Sequence, residues 1–299
     1  MATFMLSRIA VACYSLKDPM IPIILRLGPV TIYSYGLMMA LGFIAGDLLL
    51  SQECRRRGFK PELGTAIVVW GAVGGLGGAR LYDVFDNWSA YMGHPASIIF
   101  SGAGFVWYGG LIGGIVSSWL VARHYRVSFL TVTDMCAAPL VLGMAFGRMG
   151  CQLSGDGDWG LPSTLPWAMA YPRAIVGWGP ETVLKLDRHG NLVSGFFPGV
   201  RVHPTPIYEA ILYVAIFCVL WGIRKKITLE GELLYLYLIL GGLARFTVEF
   251  VRINPRVLWG LSEAQIISLL MIAAGSMAWY WSSRRRAETV SARREALRA

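Results

Sequence analysis

Charge is scarce in this chain. Only 15% of its 299 residues are Asp, Glu, Lys or Arg, where a soluble domain carries about a quarter, so an ordinary water-soluble globule is excluded. Acid is scarcer than base, 18 residues against 27, for a formal net charge of +9. In a soluble chain that balance would point first to nucleic acid. Here the positives cluster just beyond the ends of apolar runs, as membrane topology demands, and no nucleic-acid partner is expected. Cysteine is thin as well: Cys13, Cys54, Cys136, Cys151 and Cys218 are odd in number and show no Cys-x-x-Cys spacing. Neither a disulfide framework nor a zinc site is supported, and no metal or cofactor is expected. Internal repeats and low-complexity tracts are missing too.

What remains is apolar. Hydrophobic residues make up 55% of the chain and the mean hydropathy is +0.53. Apolar runs of about 17 to 22 residues recur, long enough to cross a bilayer core of roughly 30 Å. They predict spans at about Tyr33–Leu50, Thr65–Tyr82, Gly104–Ala122, Thr131–Gly147, Thr205–Ile223, Leu233–Phe250, and from a Ser262 cap to Trp281. The expected fold is therefore an all-α polytopic membrane protein with seven transmembrane helices in one domain. Arg55-Arg56-Arg57, Arg123 with Arg126, Arg224-Lys225-Lys226 and Arg284-Arg285-Arg286 follow the odd-numbered runs. Positive charge marks the cytoplasmic side, which puts the N-terminus outside and the basic tail, 284–299, inside.

Local signals refine this layout. Ala10-Val11-Ala12-Cys13 faintly resembles a lipoprotein cleavage box, but Arg8 interrupts the apolar stretch before it, so a surface-lying N-terminal segment is expected. Gly71, Gly74, Gly75, Gly77 and Gly78 in the second run predict close helix packing. Residues 151–204 carry Trp159, Trp167, Trp178 and many Gly and Pro. They read as a small periplasmic head between helices four and five, with a β-hairpin over Val183–Val193. Thr205 as N-cap before Pro206 opens the fifth helix, and Ser262 with Gln265 forms a capping box for the seventh.

The chemistry-bearing stretch is Gly147–Gly160, reading GRMGCQLSGDGDWG, where the glycines are read as a sharp turn at the membrane surface. The topology puts Arg80, Arg148, Arg245 and Arg252 at outer helix ends, and Arg245 about one turn inside the apolar zone. Arginine there is costly, by roughly 2.5 kcal/mol or more at the bilayer centre. Snorkelling, or pairing with Asp83, Asp156 and Glu249, explains any one of them. Arg148 and Arg245 together favour an anion site, because a guanidinium fork matches phosphate oxygens. Glu249, one turn beyond Arg245, can hold that fork.

Other polar residues are more ambiguous. Tyr35 reads as a packed tyrosine or a ligand contact. Gly109-Gly110 after Tyr108 brings backbone close to a ligand or to another helix. Asp156-Gly157-Asp158 is a turn rather than a calcium loop, since the other EF-hand ligands are missing. His203 before Pro204 is a loop residue or a base.

These residues, in order, resemble the prolipoprotein diacylglyceryl transferase family of the bacterial inner membrane. The resemblance covers Leu27 to about Leu270. It rests on Leu27-Gly28-Pro29 with Tyr35-Gly36-Leu37, Gly77-Gly78-Ala79-Arg80-Leu81-Tyr82, Tyr108-Gly109-Gly110-Leu111, and Asp134 with Ala138-Pro139. Gly147-Arg148-Met149-Gly150, Trp159-Gly160, Pro166-Trp167, His203-Pro204-Thr205-Pro206-Ile207-Tyr208-Glu209 and the run Arg245 to Arg252 follow. Two departures stand out. The family's histidine is Tyr108 here, and its asparagine after Gly-Arg-x-Gly is Cys151. Its Asn-Gly-Glu becomes Ser154-Gly155-Asp156, with Asp156 in place of the glutamate and one extra residue before Trp159.

The resemblance implies transfer of diacylglyceryl from phosphatidylglycerol to the lipobox cysteine of a prolipoprotein signal peptide, with release of glycerol phosphate. It implies a multi-pass inner-membrane enzyme with its site facing the periplasm and the bilayer as its medium. Arg148, Arg245, Tyr108, Asp156 and Glu249 are the implied catalytic residues. Tyr35, Arg80, Gly109, Gly110, Cys151, Gly160, His203 and Arg252 are the implied substrate contacts. Two alternatives stand beside it: a divergent relative with another acceptor or a covalent role for Cys151, and a non-catalytic protein that binds or transports anionic lipids. Transport would call for polar residues through the cytoplasmic helix halves, which are nearly all apolar.

Overall fold

The computed structural model describes residues 9–11, 20–27, 30–93, 106–172, 174–175, 185–186, 192–194, 200–227 and 229–296. The described elements run β1 (Ile9–Val11), β2 (Ile23–Leu27), β3 (Val30–Tyr33), α1 (Ser34–Arg56), α2 (Pro61–Asp86), α3 (Trp88–Gly93), α4 (Trp107–His124) and α5 (Phe129–Ser154). There follow β4 (Lys185–Leu186), β5 (Leu192–Ser194), α6 (Thr205–Ile223), α7 (Glu232–Val248), a 3-10 turn at Glu249–Val251, β6 (Arg256–Leu258), β7 (Leu261–Ser262) and α8 (Glu263–Ala296). Among the described residues strands occur as short antiparallel hairpins and a three-stranded ribbon. The protein is helical.

Among the described residues six helices are long and apolar enough to span a membrane: α1, α2, α5, α6, α7 with its 3-10 extension, and α8 over Glu263–Arg284. The expected third span is also a helix, the 18-residue α4. Polar ends, Trp107-Tyr108-Gly109-Gly110 and Arg123-His124, keep it below the six in hydropathy.

The chain divides into two compact units, Gly46–Pro139 and the remainder. In the first, α2 and α4 pack through glycine. A Cβ built at Gly78 would run into the Gly109 carbonyl, and one at Gly113 into the Gly74 carbonyl. The glycine spacing thus serves backbone approach, as helix packing in lipid requires. A small core of Leu50, Cys54, Leu63, Ile67, Val121, Ala122, Val132 and Met135 lies within this unit. The buried Glu53 takes Arg56 and Arg57, at 2.5 and 2.9 Å.

The second unit holds β1 to β3, the first part of α1, the last part of α5, and everything after. Ile9–Val11 pairs with β2 in the register Ile9↔Leu27, so this part of the N-terminal segment is a strand. The Pro22 carbonyl accepts both the amide and the hydroxyl of Ser34 at the start of α1. Gly28 and Pro29 lie outside the described residues, as do Cys13, Trp178 and the tip of the expected hairpin over Val183–Val193. Its strands are present: β4 pairs antiparallel with β5. Trp159, Tyr171 and Val202 from the segment after α5 form a small core with Met20 from ahead of β2, and Trp159 stacks on Tyr171. Backbone bridges Pro162↔Val202 and Met169↔Val202 tie its two ends together.

Two local expectations change. The stretch from Gly147 is no turn. Helix α5 continues to Ser154, because Arg148 and Cys151 share one face and find partners there, so the ladder need not stop where apolar residues do. Only Gly155 and Gly157, at φ +64° and +93°, turn the chain. Gly150 has another use, leaving room for the ring and backbone of Tyr35. Thr205 is likewise no side-chain cap. Pro204 precedes the helix, and the Thr205 hydroxyl donates to the Asp158 carbonyl at 2.5 Å. The capping box holds: Gln265 Oε1 accepts the Ser262 amide at 3.1 Å, and Ser262 Oγ accepts the Gln265 amide at 3.3 Å.

Candidate active site

The last two turns of α5 carry Arg148, the end of α7 carries Arg245, and the residue after the 3-10 turn is Arg252. These three guanidiniums meet around one carboxylate, Glu209, from the first turns of α6. Its Oε2 lies 2.7 Å from Arg148 Nε and 3.4 Å from Arg252 Nη1, and its Oε1 takes Arg245 Nη1. Glu209 is 1% exposed. A carboxylate so placed survives only if it is fully paired.

Two further carboxylates close the network. Glu249 lies one turn beyond Arg245 and 3.0 Å from its Nη2. Its other oxygen accepts Asn254 Nδ2 at 2.6 Å and Ser262 Oγ at 2.8 Å. Asp158 sits between the remaining two arginines, Oδ2 on Arg148 Nη1 and Oδ1 at 2.5 Å from Arg252 Nη2. Three arginines thus face three carboxylates, Asp158, Glu209 and Glu249, and the formal charges cancel.

Asp156 was among the acids expected to pair with the outer-end arginines, but the aspartate that pairs with Arg148 and Arg252 is Asp158. The Asp158 amide donates to Asp156 Oδ1 at 3.3 Å, and Asp156 also takes the Cys151 thiol. This closed turn ties Asp156 to Cys151 and leaves the ion pairs with Arg148 and Arg252 to Asp158. Burial pushes the Asp156 carboxyl above the ordinary range. Burial would raise Asp158 too, but the Arg252 and Arg148 guanidiniums outweigh it and hold its carboxyl low. Cys151, Asp156 and Asp158 each bring one atom within 4.8 Å of the others. Guanidiniums on both Asp158 oxygens oppose a cation there, and the trio carries no metal argument.

The other expected contacts divide between the two units. Tyr35, at the start of α1, packs against Gly150, two residues after Arg148. Cys151 Sγ is 3.9 Å from Arg148 Nη1 and buried. Gly160 bridges to Arg252, and its amide donates to the His203 carbonyl at 2.9 Å. A Cβ at Gly160 would strike the Val251 carbonyl, so glycine is needed for this approach. His203 Nδ1 lies 3.2 Å from the Tyr208 hydroxyl, which accepts Trp167 Nε1 at 2.7 Å. These residues line an open groove of about 460 Å³ with Leu165, Thr247, Val248 and Val251. Arg80, Tyr108, Gly109 and Gly110 belong to the other unit. Arg80 pairs with Asp83 at 3.7 Å, Tyr108 sits edge-on to Trp107, and both glycines face α2.

Sequence reasoning named Arg148, Arg245, Glu249 and Arg252 but gave no role to Glu209 or Asp158. The signal for Glu209 was its place in the motif ending Tyr208-Glu209. An acid buried in the first turns of an apolar helix needs a cationic partner.

Guanidinium forks match phosphate oxygens in charge and planar geometry. The family pattern of prolipoprotein diacylglyceryl transferases matches residues 22–281. The chain belongs to that family. It is 31% identical over 279 residues to the phosphatidylglycerol–prolipoprotein diacylglyceryl transferase of Gloeobacter violaceus, covering 92% of this chain and 96% of that one. The protein of the same name from Clostridioides difficile is 32% identical, over 86% of this chain and 93% of its own. The Coxiella burnetii protein of that name is 34% identical, over 88% and 95%.

Proposed function

We propose that this protein transfers the diacylglyceryl group of phosphatidylglycerol to the lipobox cysteine of prolipoprotein signal peptides. The observation that carries this reading is the Arg148–Arg245–Arg252 cluster gathered on Glu209. The cysteine sulfur attacks the glyceryl carbon that bears the phosphate oxygen. A C–S bond forms, the C–O bond breaks with its electron pair passing to the phosphate oxygen, the thiol proton ends on that phosphate or in water, and glycerol phosphate leaves. Negative charge grows on the leaving phosphate, so guanidiniums fixed beforehand lower the barrier. Arg148 and Arg245 take that charge, with Arg252 beside them, and Glu249 orients Arg245. The reaction as written uses no metal or cofactor.

The remaining roles follow from the same reading. Tyr35 and His203 contact substrate, and Gly160 keeps the backbone close to Arg252. Asp156 positions Cys151, whose buried thiol needs no covalent part because the reacting sulfur arrives on the peptide. Arg80, Tyr108, Gly109 and Gly110 are assigned to the lipid on the motifs they share with the family, and Tyr108 donates a hydrogen bond where the family has histidine. One membrane domain with seven spans, α4 included, accounts for the charge pattern. The N-terminus and the 151–204 head then face the periplasm across the inner membrane, and the tail faces the cytoplasm.

The test is complementation. The chain is expressed in cells depleted of their own transferase, and the mobility of a model prolipoprotein is followed. The unaltered chain and Cys151→Ala modify it, while Arg148→Ala and Arg245→Ala do not. No shift with the unaltered chain refutes the reading.

A further inference from the structure

Three arginines and three carboxylates leave the cluster electrically balanced before any lipid arrives. A phosphodiester entering that balance must displace a carboxylate, since a fourth anion among paired groups meets repulsion in a weakly screened place. Glu209 and Glu249 are 1% and 0% exposed, and each is held from several elements. Asp158 is different. Its side chain is 30% exposed, and its loop follows two glycines with positive φ, Gly155 and Gly157. Its two oxygens bridge two guanidiniums, Arg148 and Arg252, the fork-to-fork arrangement that phosphate oxygens adopt. Its backbone is anchored, however: Thr205 holds the carbonyl and the Trp159 ring next to it is buried. The side chain and the turn before it are the part free to swing.

We propose that the gap between Arg148 and Arg252 is the seat of the lipid phosphodiester, and that Asp158 fills it until the lipid displaces its carboxylate. This inference rests on the transferase reading and narrows it. Arg245, held between the two buried glutamates, aligns Glu209 and keeps its share of the leaving group's charge, while Arg148 and Arg252 carry the bonds that change hands with Asp158. When the lipid leaves as glycerol phosphate, Asp158 competes for the same two guanidiniums and assists release.

The test uses the full chain in phosphatidylcholine nanodiscs with and without phosphatidylglycerol. Asp158→Asn removes the competitor, so it binds phosphatidylglycerol about tenfold more tightly than the unaltered chain, the factor set by 1.4 kcal/mol. Glu62→Gln, a carboxylate in the first turn of α2 with no part in the site, leaves that affinity unchanged. In the unaltered chain, amide hydrogen exchange over 155–158 speeds up when phosphatidylglycerol is added. That readout needs no variant, so it stands if Asp158→Asn fails to fold. Equal or weaker binding by a folded Asp158→Asn overturns the proposal, as does unchanged exchange at 155–158. Either result with prolipoprotein still modified removes only the latch. Tighter binding and faster exchange with no modification keep the latch and remove the transferase reading.

Discussion

The Glu209→Gln substitution removes one charge and keeps the shape. In the native site this 1%-exposed carboxylate serves Arg148 at 2.7 Å, Arg252 at 3.4 Å, and Arg245. Removing one partner of a buried ion pair costs about 3–5 kcal/mol, because the remaining charge stays buried. Two facts pull the figure down. Each guanidinium keeps a second carboxylate, Asp158 or Glu249, and the Arg148 and Arg245 side chains are 23% and 21% exposed. The expected loss is about 3 kcal/mol, the lower end of that range. In thermal unfolding, followed by intrinsic fluorescence in detergent, this lowers Tm by on the order of 8 °C. The guanidiniums also lose their alignment, and a displacement of about 1 Å costs roughly a hundredfold in rate. Glu209→Asp keeps the charge on a shorter stem and falls between the two in both assays. A Glu209→Gln protein that melts within about 2 °C of the unaltered chain and transfers at a comparable rate refutes the account of Glu209 as the hub.

Further outcomes test other parts of the structure. Gly74→Val and Gly113→Val drive side chains into the facing helix, and each lowers Tm and yield of monodisperse protein. Gly77→Ala meets nothing within 4 Å and leaves Tm unchanged or raised, since alanine is the better helix former by up to about 1 kcal/mol. Thr205→Val loses the hydrogen bond to the Asp158 carbonyl and lowers Tm by a few degrees, equivalent to about 1 kcal/mol. The two aspartates of the turn titrate in opposite senses. Asp158 is depressed below its ordinary 3.8, so its stabilisation is complete above that pH and is lost as pH falls through the folded value. Asp156 is raised from 3.8, so it favours folding least at neutral pH, and Asp156→Asn raises Tm there but not in acid. Melting curves across pH 3 to 8 read both effects.

Much of this was legible in the chain because it is local. The Ser262–Gln265 box and the Arg245–Glu249 pair lie within one turn of helix, where residue spacing alone fixes geometry. The glycines of α2 announced close packing, though only the fold shows that Gly109 and Gly113 receive them. Other features were hidden because they join distant segments. Glu209 meets arginines 61 residues before it and 36 and 43 after it in sequence, and no periodicity reports that. Asp158 and Asp156 look equivalent in the sequence. The turn at Gly155 and Gly157, with the Asx bond between the two aspartates, decides which reaches Arg148. Helix α5 outran its apolar stretch because Arg148 and Cys151 find polar partners at its end, and hydropathy cannot register them.

The most direct measurement is reconstituted transfer. The purified chain in phosphatidylglycerol vesicles is given a synthetic lipobox peptide, and mass spectrometry follows the cysteine while released glycerol phosphate is counted. The account predicts one diacylglyceryl adduct on the cysteine per glycerol phosphate released, with Arg148→Ala and Arg245→Ala slower by about a hundredfold or more, the loss of roughly 2.7 kcal/mol of barrier lowering. No adduct from the unaltered chain, or an undiminished rate from Arg245→Ala, contradicts it.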